Sequence, residues 1–191
     1  GIPELTVDAG LVACQIAVAL QTIVSRNVTP FEPAVVTVGS IQSGEAPNII
    51  NANALLKLTI RTLNADVRQL VLKRIQEIAT AQAVSFGATA TLEHINGSPV
   101  LVNGAEATQF AISVAQNLFG EARVCTDAKA LTGSEDFAFM LEANPNGSYL
   151  MIGAGEGADV PRVHSPAYDF DDELLLPGAA YWCELAQAYL Q

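Results

Sequence analysis

The chain has 191 residues, half of them hydrophobic, and its 9 basic and 20 acidic residues give a formal net charge of −11. The apolar content is ample for a packed core and too high for a disordered chain. The acidic balance argues against partners such as nucleic acid or anionic membranes.

The chain carries no pattern of a membrane span or a disulfide framework. The apolar run Leu11–Leu20 is interrupted by Gln15 and falls short of the roughly 18 uninterrupted apolar residues that a span requires. The three cysteines are odd in number and far apart in sequence. We interpret them as reduced thiols, which predicts a cytoplasmic protein. Because the chain begins at Gly1 and not at a methionine, we expect residues before it to be missing.

The first half of the chain predicts an α+β sandwich. Three- and four-residue spacing of apolar residues predicts helices, β-branched residues predict the first strand, and alternation of apolar and polar residues predicts the second. The predicted elements are a helix at Thr6–Arg26, strands at Ala34–Ser40 and Ala54–Leu63, a helix that Asn64 caps and Gly87 ends, and a strand at Ala88–Ile95. This order suits an antiparallel sheet with two helices on one face. A leading strand before Gly1 would complete a split β-α-β pattern of the ferredoxin type.

After the Asn96-Gly97 turn the pattern changes, and we place a domain boundary there, between residues 1–97 and 98–191. The second half predicts helices, short strands and one glycine-rich loop. The predicted elements are helices at Ala105–Phe119, Phe137–Leu141 and Leu174–Leu190, strands at Ala122–Cys125 and Ser148–Ile152, and a loop at Gly153–Val160.

His164 is the first candidate for chemistry. It precedes Pro166, which fixes a turn, and an acidic cluster at residues 169–173. Imidazole is a common metal ligand, and a rigid turn can hold one in place. A single histidine cannot hold a catalytic metal, which needs about three protein ligands. The alternative is a structural histidine that binds a carboxylate such as Asp169.

The second candidate is Gly133-Ser134-Glu135. Ser134 is predicted to cap a helix whose acidic first turn complements the helix dipole. A functional interpretation is that Gly133 lets a ligand approach the backbone and that Glu135 orients a metal ligand.

Asn48 and Arg61 form the third candidate. An amide on a loop and a planar guanidinium on the adjoining strand could clamp a carboxylate. The alternative is that Asn48 only shapes a turn and that Arg61 is a solvated charge. The other histidine, His94, has no assigned role.

Six segments in order carry a family resemblance: Ala19–Arg26, Gly44–Ile50, the strand ending in Arg61, Pro99–Asn103, Leu131–Phe139 and Val163–Glu173. In these segments the chain resembles amidohydrolases of the aminoacylase, hippurate hydrolase and auxin-conjugate hydrolase type, in the di-metal carboxypeptidase family. The resemblance implies that residues 1–97 are a ferredoxin-like lid and dimerisation domain that lacks its first strand. Residues 98–191 would be the C-terminal part of an α/β metallohydrolase catalytic domain.

The implied reaction is hydrolysis of the amide bond of a small N-acyl amino acid by two divalent ions, zinc, manganese or cobalt. His164 matches the last metal ligand of the family. Asn48 and Arg61 match lid residues that bind substrate, and Gly133-Ser134-Glu135 matches a segment that lines the active site. One departure is Asn51, where relatives usually have proline.

The resemblance finds no counterpart of the family's N-terminal half, which carries the other metal ligands and the catalytic glutamate. We therefore expect no catalytic residue in this chain, incomplete metal binding and no activity of the chain alone. The parent is expected to be a homodimer through the lid. The alternative is a truncated, non-catalytic dimerisation or carboxylate-binding module derived from this family.

Overall fold

The computed structural model describes residues 1–95, 97–155 and 160–191. Asn96 of the predicted turn and residues 156–159 of the predicted loop lie outside the described residues. The described chain has a mixed α/β structure and divides into two compact units. Unit 1 comprises Gly1–Val100 with Leu131–Ser134, and unit 2 comprises Leu101–Ala130 with Glu135–Gln191.

Among the described residues, unit 1 contains three α-helices and one β-hairpin, in the order α1 (Ala9–Leu20), α2 (Thr22–Asn27), β1 (Ala34–Gln42), β2 (Leu55–Thr62) and α3 (Ala65–Ser85). The single helix predicted at Thr6–Arg26 is therefore two helices. α1 begins at Ala9 because the carboxylate of Asp8 accepts a hydrogen bond from the Leu11 backbone N–H.

The two strands pair antiparallel, with Ala34 opposite Thr62 and Gln42 opposite Leu55. The predicted alternation in the second strand is confirmed, since Leu56, Leu58 and Ile60 pack against the core. Lys57 and Thr59 are exposed on the other face. One face of the hairpin thus meets the helices of unit 1, and the other faces away from them.

The start and end of α3 follow their sequence signals. The Asn64 side chain accepts hydrogen bonds from the backbone N–H groups of Asp66 and Val67, at 2.8 and 3.4 Å. At the other end Gly87 has a φ of 73°, and the Ala88 N–H binds the carbonyl of Ala83 at 2.9 Å. This is the hydrogen-bond pattern of a Schellman motif, in which glycine adopts the left-handed conformation without steric cost.

The core of unit 1 forms where α1, α2 and α3 cover the hairpin. Its buried members are Val12, Ile16, Leu20, Ile23, Val28, Val36, Val71, Ile75, Ala79 and Ala83. Within the part of the chain that the structure describes, the Ala9–Asn27 helical stretch is the one long and apolar enough to span a membrane by composition. Its buried side packs against α3 and the hairpin, and a core helix meets the same criterion.

The strand predicted at Ala88–Ile95 is wrong, because the structure gives this segment no strand partner among the described residues. The first N–H of the segment, that of Ala88, is used by the Schellman motif. Ala88 and Ala90 still pack against the core of unit 1. The alternation of alanine and threonine at residues 88–91 therefore reflects packing of the two alanines against the core. A strand needs in addition a neighbouring backbone to bind its N–H and carbonyl groups.

Unit 2 contains α4 (Ala105–Phe119), α5 (Phe137–Ala143) and α6 (Leu175–Tyr189). All three helices predicted in this region are confirmed. Gly120, with a φ of 85°, ends α4 as predicted. Pro177 lies in the first turn of α6, where its missing N–H costs no intrahelical hydrogen bond.

Both strands predicted in unit 2 are wrong. Ala122–Cys125 overlaps a 3-10 turn at Glu121–Arg123. In Ser148–Ile152, the Asn103 side chain accepts from the N–H of Tyr149 at 2.8 Å and donates to its carbonyl at 2.9 Å. One amide side chain thus replaces a strand partner, and Met151 is 72% exposed where a buried strand was expected.

Candidate active-site residues

Arg61 lies near the end of β2, directly opposite Val35 of β1. Its position in the alternation places it on the helix-free face of the hairpin. It is half-buried, and no ion pair or hydrogen bond joins its side chain to another residue within the described ranges. The guanidinium therefore has its donors available for an anion, for which its planar, two-pronged geometry is suited.

Asn48 lies in the loop between β1 and β2 and is exposed. With the beginning of α1, this loop lines an open pocket of about 560 Å³. The lining includes the carboxylates of Asp8 and Glu45 and no lysine or arginine. Two negative charges without a cation make the pocket a poor site for a carboxylate and a better one for a neutral or cationic group.

The hairpin separates Asn48 from Arg61. Arg61 lies six residues after Leu55, where the loop joins β2, which is about 20 Å along the strand at 3.3 Å per residue. The structure therefore does not bring the two predicted residues together as a clamp on one small carboxylate. Each belongs to a different end of the hairpin.

His164 occupies the third position of a tight turn in which the Ser165 N–H binds the carbonyl of Arg162 at 3.0 Å. A second turn follows at once, with the Tyr168 N–H on the carbonyl of Ser165 at 3.0 Å. His164 has a φ of 71° and is the one non-glycine residue with positive φ among those described. A backbone in this region costs about 1–3 kcal/mol and is found preferentially at functional sites.

The imidazole of His164 is exposed. Within the described residues it makes no hydrogen bond to Asp169, the partner that a structural histidine was expected to have. No group of three or more histidine, cysteine, aspartate or glutamate side chains in the described ranges could hold a metal ion. Unit 2 can thus offer a single imidazole to a metal, which is one ligand of the several that a site requires.

The prediction that Ser134 caps the following helix is wrong. The N-cap of α5 is Asp136, whose side chain makes no capping hydrogen bond, and the carboxylate of Glu135 accepts a hydrogen bond of 3.2 Å from the Phe137 N–H at the start of α5. A carboxylate binds the exposed N–H groups of a first helical turn better than a hydroxyl because it also complements the helix dipole. Ser134 belongs to unit 1 and Glu135 to unit 2.

Glu135 and Tyr149 influence each other's protonation. The hydrogen bond from the Phe137 N–H lowers the pKa of Glu135, and the Tyr149 phenol lowers it further. In return, the Glu135 carboxylate raises the pKa of Tyr149. Tyr149 was not singled out from the sequence, since it lies in a segment interpreted as a strand and its partner Asn103 is distant along the chain.

Gly133 has open space around it. A Cβ atom built there would meet no atom within 4 Å, and its φ does not lie in the left-handed region. Neither backbone conformation nor packing in the described chain requires glycine at this position.

The chain belongs to peptidase family M20/M25/M40, whose family model matches residues 2–188. The resemblance to metal-dependent amidohydrolases is thereby confirmed. The chain is 35% identical over 189 residues to the hippurate hydrolase of Campylobacter jejuni, a match that covers 99% of this chain and 48% of that protein. It is 32% identical over 195 residues to the IAA-amino acid hydrolase ILR1-like 4 of Arabidopsis thaliana, covering 99% of this chain and 44% of that protein.

The structure is similar to the crystal structure of a Bacillus subtilis protein, a dinuclear metal binding peptidase from the M20 family. The TM-score is 0.70 at 26% sequence identity, over 94% of this chain and 46% of the other. The chain spans less than half the length of the curated relatives named above. Its family is thus one of hydrolases, and divalent metals are used within it.

Proposed function

We propose that this chain is the C-terminal portion of a metal-dependent amidohydrolase that cleaves the amide bond of hippurate-like N-acyl amino acids. The carrying observation is Arg61, a guanidinium without a protein partner in the described residues, on the helix-free face of a rigid strand. It would bind the substrate carboxylate. The similarity to hippurate hydrolase and to an IAA-amino acid hydrolase, both named for amide conjugates, supports this substrate class.

Residues 1–97 would form the ferredoxin-like lid. Support comes from the packing of α1 and α3 on one face of an antiparallel hairpin. A strand before Gly1 would complete the sheet, and residues 98–191 would belong to the catalytic domain. The protein would be cytoplasmic.

The parent would be a homodimer through this lid. The placement of Asn48 and Arg61 at opposite ends of the hairpin supports this dimer, because in a dimer the two residues could serve two different active sites. Arg61 would bind a carboxylate, while the acidic pocket at Asn48 would accept a neutral part of the substrate.

His164 would be one ligand of the metal centre. The residues described in this chain do not complete a metal site, so the remaining ligands and the catalytic glutamate would come from sequence outside these 191 residues. When bound, the two ions would polarise the amide carbonyl and activate water. The chain by itself would bind metal incompletely and would be inactive.

The test begins with the intact mass of the protein from its native source, compared with the 20.1 kDa of this chain. The complete reading frame is then expressed and assayed for release of glycine from hippurate with added Mn²⁺, Zn²⁺ or Co²⁺. The variant His164→Ala should lose most activity and bound metal, whereas His94→Ala, which changes the other histidine, should keep both.

The possible results distinguish the enzyme from the truncated module and test the role of His164. Chelator-sensitive turnover by the pure 191-residue chain would contradict the predicted inactivity. Equal effects of the two histidine substitutions would contradict the role of His164. A reading frame that starts near Gly1 would favour the truncated binding module over the enzyme.

A further inference from the structure

The helix-free side of the hairpin is an exposed surface that we call the outer hairpin face. It consists of Val35 and Thr37 on β1 and of Lys57, Thr59 and Arg61 on β2. Thr37 lies opposite Thr59, and Val35 lies opposite Arg61. Val35 is 41% exposed, so an apolar side chain on this face faces solvent.

The charge of the outer hairpin face is opposite to that of the chain. The chain has a net charge of −11 and only 9 basic residues, yet two of these are on this face. Neither β1 nor β2 contains an aspartate or a glutamate. Within the described residues, the ion pairs of the chain lie on α3, and neither Lys57 nor Arg61 takes part in one. The face therefore carries two cations that form no ion pair within the described residues.

The spacing of the two cations suits one small ligand. Lys57 and Arg61 are four residues apart on one strand, about 13 Å between backbones, with Thr59 midway on the same face. Strand side chains lean along the strand direction, and both cationic side chains are long enough to approach a ligand over Thr59. The hydroxyl groups of Thr59 and Thr37 add neutral hydrogen-bond donors between the two charges.

We propose that the outer hairpin face binds a small dicarboxylate, with Arg61 on one carboxylate and Lys57 on the other. The preferred substrates are then N-acyl derivatives of acidic amino acids, and Lys57 determines this specificity. The inference rests on the proposed function, in which Arg61 binds the substrate carboxylate. It adds Lys57 as the cation for a second carboxylate.

The experiment compares two probes of nearly identical shape, N-acetyl-L-glutamate and N-acetyl-L-glutamine, which differ by one negative charge. Their binding to the 191-residue chain is measured by NMR chemical-shift titration at low salt. The wild type should prefer the dianion by about two- to fivefold, the range expected for one added exposed ion pair. Raising the salt concentration should remove the preference.

Lys57→Gln should abolish the preference and leave the affinity for N-acetyl-L-glutamine unchanged. Lys73→Gln is the matched control, because Lys73 is an exposed lysine on α3, away from the outer hairpin face, and its loss changes the net charge equally. Arg61→Gln should weaken binding of both probes, with Arg68→Gln on α3 as its control.

The outcomes separate the two proposals. A preference that Lys57→Gln leaves intact, or a wild type without any preference, overturns the dicarboxylate inference alone if Arg61→Gln still weakens both probes. Binding that does not depend on Arg61, or no binding of either probe, overturns the carboxylate role of Arg61 and the inference together. A circular dichroism spectrum identical to that of the wild type shows that each variant is folded.

Discussion

The phenol of Tyr181 on α6 donates a hydrogen bond of 2.9 Å to the backbone carbonyl of Ala111 on α4. The two residues are 70 positions apart in the chain, and both are buried. Burial also raises the pKa of Tyr181. This contact fixes α6 against α4 and ties the last helix of the chain into unit 2.

Removal of this hydroxyl should destabilise unit 2. We expect Tyr181→Phe to lower the free energy of unfolding by about 0.5–1.5 kcal/mol, because one buried hydrogen bond is lost while the ring remains. Urea unfolding measures the change. Tyr189→Phe is the control, since Tyr189 is 79% exposed. Equal losses in the two variants would contradict the role of the Tyr181 hydroxyl.

The same tyrosine predicts a pH dependence. Because its pKa in the folded protein is raised above the ordinary value of 10.0, its contribution to stability is complete below that value. The contribution is lost as the pH rises through the higher pKa of the folded state. Wild-type stability should therefore fall more steeply than that of Tyr181→Phe at strongly alkaline pH.

The buried side of α1 should be essential for folding and its exposed side dispensable. Leu20 is 1% exposed and Val18 is 69% exposed on the same helix. Leu20→Ala should cost about 2–5 kcal/mol because it leaves a cavity in the core. Val18→Ala should change stability by less than about 0.5 kcal/mol. A large effect of Val18→Ala in aqueous buffer would show that this side of α1 is covered by a partner.

Two glycines should respond differently to alanine. A Cβ at Gly104 would collide with the carbonyl oxygen of Pro145, which is backbone and cannot swing away. At Gly133 a Cβ would meet nothing within 4 Å. We expect Gly104→Ala to lower the melting temperature by several degrees and Gly133→Ala to leave it unchanged. If Gly133→Ala is instead as destabilising as Gly104→Ala, a close neighbour of Gly133 exists outside the described contacts.

Loss of the charge at Glu135 should bring the pKa of Tyr149 back toward its ordinary value of 10.0. We expect Glu135→Gln to lower the pKa of Tyr149, because the carboxylate is the main cause of its elevation. NMR titration of the tyrosine ring signals measures it. Glu142→Gln, which removes an acidic charge on α5, is the control. A pKa of Tyr149 that moves equally in both variants would refute the pairing.

The lowered pKa of Glu135 has a consequence at acid pH. A carboxyl whose pKa is lowered on folding stabilises the protein above its unfolded value and loses this contribution as the pH falls through the folded pKa. The wild type should therefore lose stability as the pH falls below the ordinary carboxyl pKa of 4.5, and Glu135→Gln should lose less over the same range.

The sequence by itself determined the local elements of this protein. The helices α3, α4 and α6 lie where the apolar spacing predicts them, and α3 begins at its predicted cap, Asn64. The first hairpin strand follows from its β-branched residues, and β2 with its inward side follows from alternation. Apolar spacing and capping act between residues within a few positions of one another. A short stretch of sequence therefore contains everything that these elements depend on.

The tertiary structure alone decided which extended segments are strands and which candidate residues meet. Apolar and polar residues alternate in the segment at 88–95 as they do in a strand. A strand also requires a neighbouring backbone, and in the described chain no backbone pairs with this segment. The sequence alone does not reveal which segments find such a partner. Asn48 and Arg61 match a family pattern, yet the register of the hairpin holds them far apart. Hydrogen-bond partners and distances across a fold depend on residues remote in sequence, and only the folded chain sets them.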